Sequence, residues 1–511
     1  MKLELLKKKY KFLKKENIYL KNELEKVYKG RYYRFRAVIY KLIRVYPKRF
    51  VEFTFSIYVM LKNKYKKSKP KKFRLVFKKI KKNRDGIKIL YDFQTFATQK
   101  YGGISRLFYE LMNVYSRQKN IDFNLGLRYS ENGYLKTSKY IKNSNTLIIK
   151  PKDEKEFSDF LPKLNFNGKY KLYSLLNHIG LYRYKLKYKI DHFGLFDPIK
   201  PYHYYRQYFS NVKRSLDLII RKKFDVFHPT YFDTYFLKYI GKKPFVLTIC
   251  DMIYEKYPEY FNKDDLIVKY KKKLVEKAAR IMTISENTKK DIIDIYHIDP
   301  NKINVIPLAS SLSSVDYKYI KIGNLPRKYL LYVGTRTVYK NFTLFIRTAA
   351  SLLKKDKKLF IVATGNIVGA GEFTYKERKL FQKLKIAKRL LFIPVHSDND
   401  LWMLYKNAAA LVFPSLYEGF GLPILEAFSC GCPVVCSNTS SLPEVAGEAA
   451  LYFNPRDKKS ILDAVKKILS DKKLREELIK KGLERNKLFS WKKTASKIKN
   501  IYTEIIRENE K

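Results

Sequence analysis

Apolar residues fall along this chain in two textures. Over residues 1 to 30, Leu6, Tyr10, Leu13, Asn17, Leu20, Leu24 and Val27 recur by alternating steps of four and three. This is the a/d spacing of a short coiled coil, with polar Asn17 at an a position that fixes register. The heptads suit either a homodimer or a single helix packed on its own chain. Ile39, Leu42, Ile43 and Tyr46 then share one helical stripe and Arg34, Lys41 and Arg44 another, until Pro47 interrupts. A basic amphipathic helix of this kind lies in a membrane interface or packs on the following domain with its charges solvated. Residues 62 to 84, rich in Lys and broken by Pro70, read as a linker or electrostatic tether.

From Asp85 onward, short apolar runs alternate with helix-length segments. Ile87 to Tyr91, Phe224 to Phe227, Phe245 to Ile249, Ile281 to Ile284 and Ile303 to Ile306 read as buried strands. A second series follows at Tyr329 to Val333, Leu359 to Ala363, Leu390 to Val395, Ala409 to Phe413, Pro433 to Cys436 and Leu451 to Phe453. Continuous β-branched runs spaced by helices are the mark of parallel sheets built from βαβ units. Two such series, parted by the polar stretch Ser310 to Asn324, predict an α/β fold of two doubly wound, Rossmann-like domains facing a cleft. The expected organisation is a basic helical extension over 1–84, a first domain over 85–310, a second over 325–485 and a C-terminal helix over 486–511. In that architecture ligands sit beyond the carboxyl ends of the strands, so the residues there carry the candidate chemistry.

The most specific stretch runs from Phe413 to Phe428. A strand ends at Phe413, Gly419 and Gly421 open backbone conformations closed to other residues, and Pro423 opens a helix, which places Glu426 in its first turn. The free N–H groups of that helix attract an anion such as a diphosphate, and the carboxylates of Glu418 and Glu426 accept hydrogen bonds from sugar hydroxyls. The alternative reading has Glu418 as a solvated turn residue and Glu426 as a favourable charge near the helix dipole. After the strand ending at Gly334, Arg336 and Lys340 place two cations four residues apart, a fork and a point charge suited to a pyrophosphate leaving group. In the first half, Gly102 and Gly103 follow the opening strand and begin a helical pattern, letting backbone approach a ligand. They do not spell the G-x-G-x-x-G of a dinucleotide site. His228 and the Cys250-Asp251 pair close strands of their own and are either cleft residues or turn formers.

Composition narrows the classes. The 511 residues hold 107 Lys and Arg against 48 Asp and Glu, a net charge of +59, and residues 1 to 84 alone carry 30 basic residues and five acids. Lys enrichment along the whole chain is compositional, but its N-terminal concentration predicts an anionic partner. Nucleic acid is disfavoured, because no recognition module or stacking motif accompanies the charge. Four cysteines, three of them crowded at Cys430, Cys432 and Cys436, form neither a disulfide framework nor a zinc set. The scattered histidines form no ligand set either. Without a long apolar run or a leader pattern, the expected location is cytoplasmic, peripheral on the inner membrane face.

Taken together, these residues resemble the retaining glycosyltransferases of the family-4 type, which have the two-Rossmann GT-B fold. The resemblance runs from about Lys88 to Tyr502 and is strongest in the E-x7-E motif, Glu418 to Glu426. Pro258 to Phe261, Ser285 to Asp291, Val305 to Leu308, Gly334 to Asn341, Leu404 to Ala408 and Ser441 to Val445 add to it. It implies a nucleotide-diphosphate sugar as donor and a glycan or lipid-linked acceptor in surface polysaccharide biosynthesis, with no resident cofactor or metal. It implies further that Arg336 and Lys340 bind the diphosphate, Glu418 the transferred sugar and Glu426 the ribose. Gly102, Gly103, Gly419, Phe420 and Gly421 would line the donor, with Glu418, Asp251, Arg336 and Lys340 as the catalytic set. The family carries a His directly before Asp251, where this chain has Cys250. The alternatives are a catalytically degenerate GT-B scaffold and a sugar-nucleotide epimerase.

Overall fold

The computed structural model describes residues 86–130, 132–137, 199–261, 265–312, 325–365 and 372–510. The expected coiled coil, amphipathic helix and tether lie outside the described residues.

The first domain opens on β1 (Ile87–Asp92) and continues through β2 (Ile121–Gly126), β3 (Val226–His228), β4 (Val246–Ile249), β5 (Arg280–Thr283) and β6 (Ile303–Val305). All ladders are parallel, in the orders β2-β1-β3 and β4-β5-β6, and a parallel bridge from Phe227 to Phe245 links the two groups. Strand β2, Ile-Asp-Phe-Asn-Leu-Gly, escapes the apolar-run signal because it is an edge strand, and its Asp122 and Asn124 interrupt the run.

The second domain holds β7 (Tyr329–Val333), β8 (Phe360–Thr364), β9 (Leu390–Phe392), β10 (Ala410–Phe413), β11 (Val434–Ser437) and β12 (Ala450–Phe453). They form one parallel sheet in the order β12-β11-β10-β7-β8-β9. From β7 the chain winds outward through β8 and β9, then returns to lay β10 on β7's other side, pairing Ala410 with Leu330. The loops leaving β7 and β10 therefore diverge over a topological switch point, where a doubly wound sheet opens a crevice.

Burial fixes these elements. Leu330, Leu331, Ile361, Val362, Leu411 and Val434 are fully buried, as central parallel strands covered on both faces must be. The C-terminal helix Trp491–Glu510 crosses back to the first domain. Tyr115 donates to the Ala495 carbonyl at 2.8 Å and Thr494 to the Pro307 carbonyl at 2.8 Å, so this helix belongs to the first domain's core.

Candidate active site

Lys340 and Glu418 meet at the switch point. A 3-10 turn, Val338–Lys340, follows β7, and the Leu416 N–H donates to the Tyr339 carbonyl at 2.8 Å, joining the two loops. Across that junction Lys340 Nζ donates to Glu418 Oε1 at 2.5 Å, with the side chains 16% and 12% exposed. Partial shielding from water strengthens the attraction. Burial opposes the Lys340 charge, yet the neighbouring Glu418, Tyr339 and Asp251 outweigh it, and its pKa stands above the ordinary value. Glu418 is its sole hydrogen-bond partner among the described residues, and an ammonium carries three donors. The Glu418 backbone is pinned as well. Its N–H donates to Ser440 Oγ at 3.0 Å, and its carbonyl accepts from Ser441 Oγ at 2.9 Å.

Beyond Glu418 the loop meets the other domain. A Cβ on Gly419 would lie 1.8 Å from the Cys250 carbonyl oxygen and 3.0 Å from Asp251 Cβ, so only glycine allows this approach. Thr288 Oγ1 lies within hydrogen-bond distance of both carbonyls, Cys250 at 3.3 Å and Gly419 at 3.4 Å. Gly421, at φ 107°, forms the N-cap of the helix Leu422–Ser429. Pro423 takes the second position of that helix, and Glu426, expected in the first turn, falls in the second. Phe420 turns its ring inward, 3% exposed and edge-on to Phe489.

Glu426 accepts from the Tyr405 hydroxyl at 2.8 Å. Burial pushes its pKa up, while Tyr405 and Arg106 pull the other way. Arg106 forks onto Asp398 at 3.1 and 2.7 Å, tying the helix Gly103–Tyr115 of the first domain to Asp398–Lys406 of the second. Gly102 precedes that first helix and Gly103 begins it; a Cβ at Gly103 would stand 3.7 Å from Leu422. Two helix N-termini thus converge on the cleft, one from each domain.

Arg336 follows β7 on the same loop as Lys340 but is directed elsewhere. Its Nε donates to Glu377 at 2.8 Å, Nη1 to the Gly365 carbonyl at 2.8 Å and Nη2 to the Glu372 carbonyl at 2.5 Å. The rings of Phe373 and Phe392 stand 5.3 and 5.2 Å away, and the side chain is fully buried. It reaches a ligand only by leaving these partners.

Asp251 lies beside Gly419, and its Oδ1 accepts from the Ile253 N–H at 3.1 Å. Behind it, Lys271 Nζ donates to the Asp251 carbonyl at 3.2 Å and pairs with Glu255 at 3.0 Å, both side chains buried. The Cys250 thiol is pushed up to about 12, by burial first and by Asp251 second, and is protonated at neutral pH. His228, a candidate cleft residue by position, is fully enclosed instead. Its Nδ1 lies 2.6 Å from Tyr502 Oη and its Nε2 2.8 Å from Thr248 Oγ1, and burial lowers its pKa to about 3. Cys430, Cys432 and Cys436 are buried and act as small hydrophobes. Among the described residues, no three His, Cys, Asp or Glu side chains gather as a metal-binding set.

Known families cover much of the chain. The family profile for glycosyl transferases group 1 matches residues 319–485, and that for glycosyltransferase family 4 matches residues 183–310. O-antigen chain mannosyltransferase B of Escherichia coli is 32% identical over 271 residues, covering 50% of this chain and 69% of that protein. The chain is a family-4-type glycosyltransferase. O-antigen chain mannosyltransferase RfbU of Salmonella typhimurium is 31% identical over 43% of this chain, which spans 60% of RfbU's length. Among solved structures, a glycosyltransferase from Rickettsia africae covers 83% of this chain and 99% of its own, at 16% identity and TM-score 0.56. Anabaena HepE, solved in complex with UDP and glucose, covers 82% of this chain and all of its own, at 13% identity and TM-score 0.57. Both share the GT-B fold with this glycosyltransferase.

Four contributors to the glycosyltransferase cleft had no role from sequence. Tyr405 lies 21 positions before the Glu426 that it bonds, and Asp398 lies 292 positions from Arg106. Tyr417 donates to Asp291 at 2.7 Å across the domains. Glu444 accepts from the N–H groups of Glu286 at 2.9 Å and Asn287 at 3.3 Å, so the second domain caps a helix of the first. Ser285 and Glu444 stood in recognisable motifs, but nothing local said that those motifs meet.

Proposed function

We propose that this glycosyltransferase moves a hexose from a nucleotide-diphosphate sugar to a glycan or lipid-linked acceptor in surface polysaccharide biosynthesis, with retention of anomeric configuration. The O-antigen mannosyltransferases among its relatives support the pathway class. One observation carries the chemical reading: a shielded Lys340–Glu418 pair at the carboxyl ends of β7 and β10.

In this reading the sugar hydroxyls bond Glu418, and Lys340 turns its remaining donors to the diphosphate. As the bond from the anomeric carbon to phosphate oxygen breaks, negative charge grows on the departing phosphate. Lys340 and the N–H groups opening the helices Leu422–Ser429 and Gly103–Tyr115 are aimed where that charge develops. Arg336 fixes the loop that presents Lys340. Asp251, held by Lys271, borders the sugar, and Glu426 takes the ribose hydroxyls. Gly102, Gly103, Gly419 and Gly421 keep the backbone close to the donor, with Phe420 packed beneath.

A nucleotide-sugar panel tests this by hydrolysis and transfer, comparing intact protein with Lys340→Ala and Glu418→Ala. Loss of turnover in both with unchanged folding supports it; unaltered turnover in both removes the site. Donor affinity without turnover against any acceptor would make the chain a binding scaffold.

We also propose that residues 1 to 84 hold the enzyme on an anionic membrane face, supported by their 30 basic residues. At about 1 kcal/mol per engaged Lys or Arg, a handful suffices, and salt weakens it. No helix among the described residues is long and apolar enough to cross a membrane. Vesicle flotation decides: a form lacking residues 1 to 84 that floats equally well defeats the docking reading.

A further inference from the structure

Cys250, Asp251 and Met252 follow one another between the end of β4 and the short helix Ile253–Lys256. Each offers a backbone group to a side chain from a different segment. The Cys250 carbonyl lies 3.3 Å from Thr288 Oγ1, the Asp251 carbonyl accepts from Lys271 Nζ at 3.2 Å, and the Met252 N–H donates to the Tyr417 hydroxyl at 3.2 Å. The path of the chain through Asp251 is therefore set by what packs around it.

Of these three holds, Tyr417 alone belongs to the second domain, and it directly precedes Glu418. A phenol has one proton to give and lone pairs with which to accept. Tyr417 gives that proton to Asp291 Oδ2 at 2.7 Å, which leaves its oxygen to receive the Met252 N–H. Asp291 is fixed in turn, by Lys256 at 2.5 Å on Oδ1 and by Asn287 at 3.0 Å on Oδ2. Met252, Tyr417 and Asp291 are all buried, and the Met252 N–H has no second partner among the described residues. A lost bond there is not made good by bulk water.

The residues flanking Glu418 thus both meet the Asp251 segment. Tyr417 bonds Met252 from one side, and Gly419 on the other approaches so closely that a Cβ would lie 1.8 Å from the Cys250 oxygen. Between them the Glu418 side chain turns to Lys340. A shift at Tyr417 displaces Asp251 relative to Glu418.

We propose that Tyr417 is a positioning residue for transfer: its hydroxyl sets Asp251 of the first domain against Glu418 of the second, so that both carboxylates border one sugar. This role rests on the glycosyltransferase reading, which places Asp251 and Glu418 at the sugar.

Donor hydrolysis by the full chain, measured with a panel of UDP- and GDP-hexoses, tests it. Tyr417→Phe, which deletes only the hydroxyl, should lower kcat about 10–100-fold, while donor KM changes less than about twofold because Lys340 and Glu426 hold the donor without it. In an Asp251→Ala background the same substitution should cost less than about twofold, since the group that it positions is already gone. A packing role alone would lower the melting temperature and leave the two losses in kcat multiplicative. Multiplicative losses overturn the proposal, as does normal turnover in either single variant. Should Tyr417→Phe not fold, Asp291→Asn, which keeps the ring and weakens its acceptor, takes its place in the same cycle. No turnover of any of these donors by the intact protein would remove the glycosyltransferase reading and this role with it, whereas turnover indifferent to Tyr417 removes the role alone.

Discussion

The two halves of the cleft are built from different materials. In the second domain, charge gathers on the loops after β7 and β10, where Lys340 meets Glu418 and a helix N-terminus stands behind. In the first domain, the cavity beyond β1, β2 and β3 is walled by aromatic and polar side chains in similar measure. A diphosphate leaving group makes the same electrostatic demand whatever sugar it carries, so cations, glycines and a helix start suffice and fit in short motifs. A wall of that kind draws on many distant segments, which must assemble together.

Arg336 and Lys340 sit four residues apart on one loop, each paired with a glutamate. Arg336 is sealed beneath phenylalanines with three nitrogens bonded, whereas Lys340 retains donors at the cleft. The first cation is therefore committed to the loop's own packing, whereas the second keeps donors at the cleft.

Substitution separates them. Arg336→Ala leaves Glu377 and two carbonyls without their partner, and unfolding measurements should show a loss of about 3–5 kcal/mol. Lys340→Ala should lower kcat about 10²–10³-fold with little change in melting. An Arg336→Ala protein that melts normally but fails to turn over would reverse the two roles.

His228 supplies the next effect, in the first domain. Its folded pKa of about 3 lies below the ordinary 6.5, so the unfolded chain takes up a proton that the folded one refuses. Stability from this group is complete above pH 6.5 and falls on acidification toward pH 3, by about 2 kcal/mol at pH 5. Chemical unfolding at pH 5 and 7 should show that loss in the intact protein and a smaller one in His228→Gln. Equal pH sensitivity in both would mean that the ring is not enclosed as described.

The clamp joining the halves comes next. Arg106 is shielded but Asp398 is 41% exposed, so water screens the pair. A double-mutant cycle with Arg106→Ala and Asp398→Ala should return a coupling of about 1–2 kcal/mol. Zero coupling would leave the two domains unclamped at this point.

Tyr405→Phe should give the smallest change. It removes the hydrogen bond that favours the ionised Glu426, so that carboxyl's already raised pKa rises further. The acid limb of donor KM should move to higher pH, with KM near neutrality up by about two- to tenfold. An unmoved limb would detach Glu426 from the ribose.

Where sequence reading succeeded and failed follows the same division. The strand at Phe413, the glycines at 419 and 421 and the helix after them were legible because a few adjacent residues dictate them. Strand β2 was not, since Asp122 and Asn124 break its apolar run and only an edge position tolerates them. His228 closed a strand as expected, yet three aromatic rings, Tyr91, Phe108 and Tyr502, packed around it from elsewhere in the chain decide that it never meets solvent.

By itself the sequence determined the alternation of strands and helices, the positions of the turns at their ends and the family to which the enzyme belongs, because hydrophobic period and backbone freedom are local properties. Tertiary structure alone decided that Lys340 reaches Glu418 across 78 positions while its neighbour Arg336 is shut away, and that rings from distant segments enclose His228. Partner choice and burial depend on which distant surfaces meet when the two sheets pack, and no stretch of the chain holds that information alone.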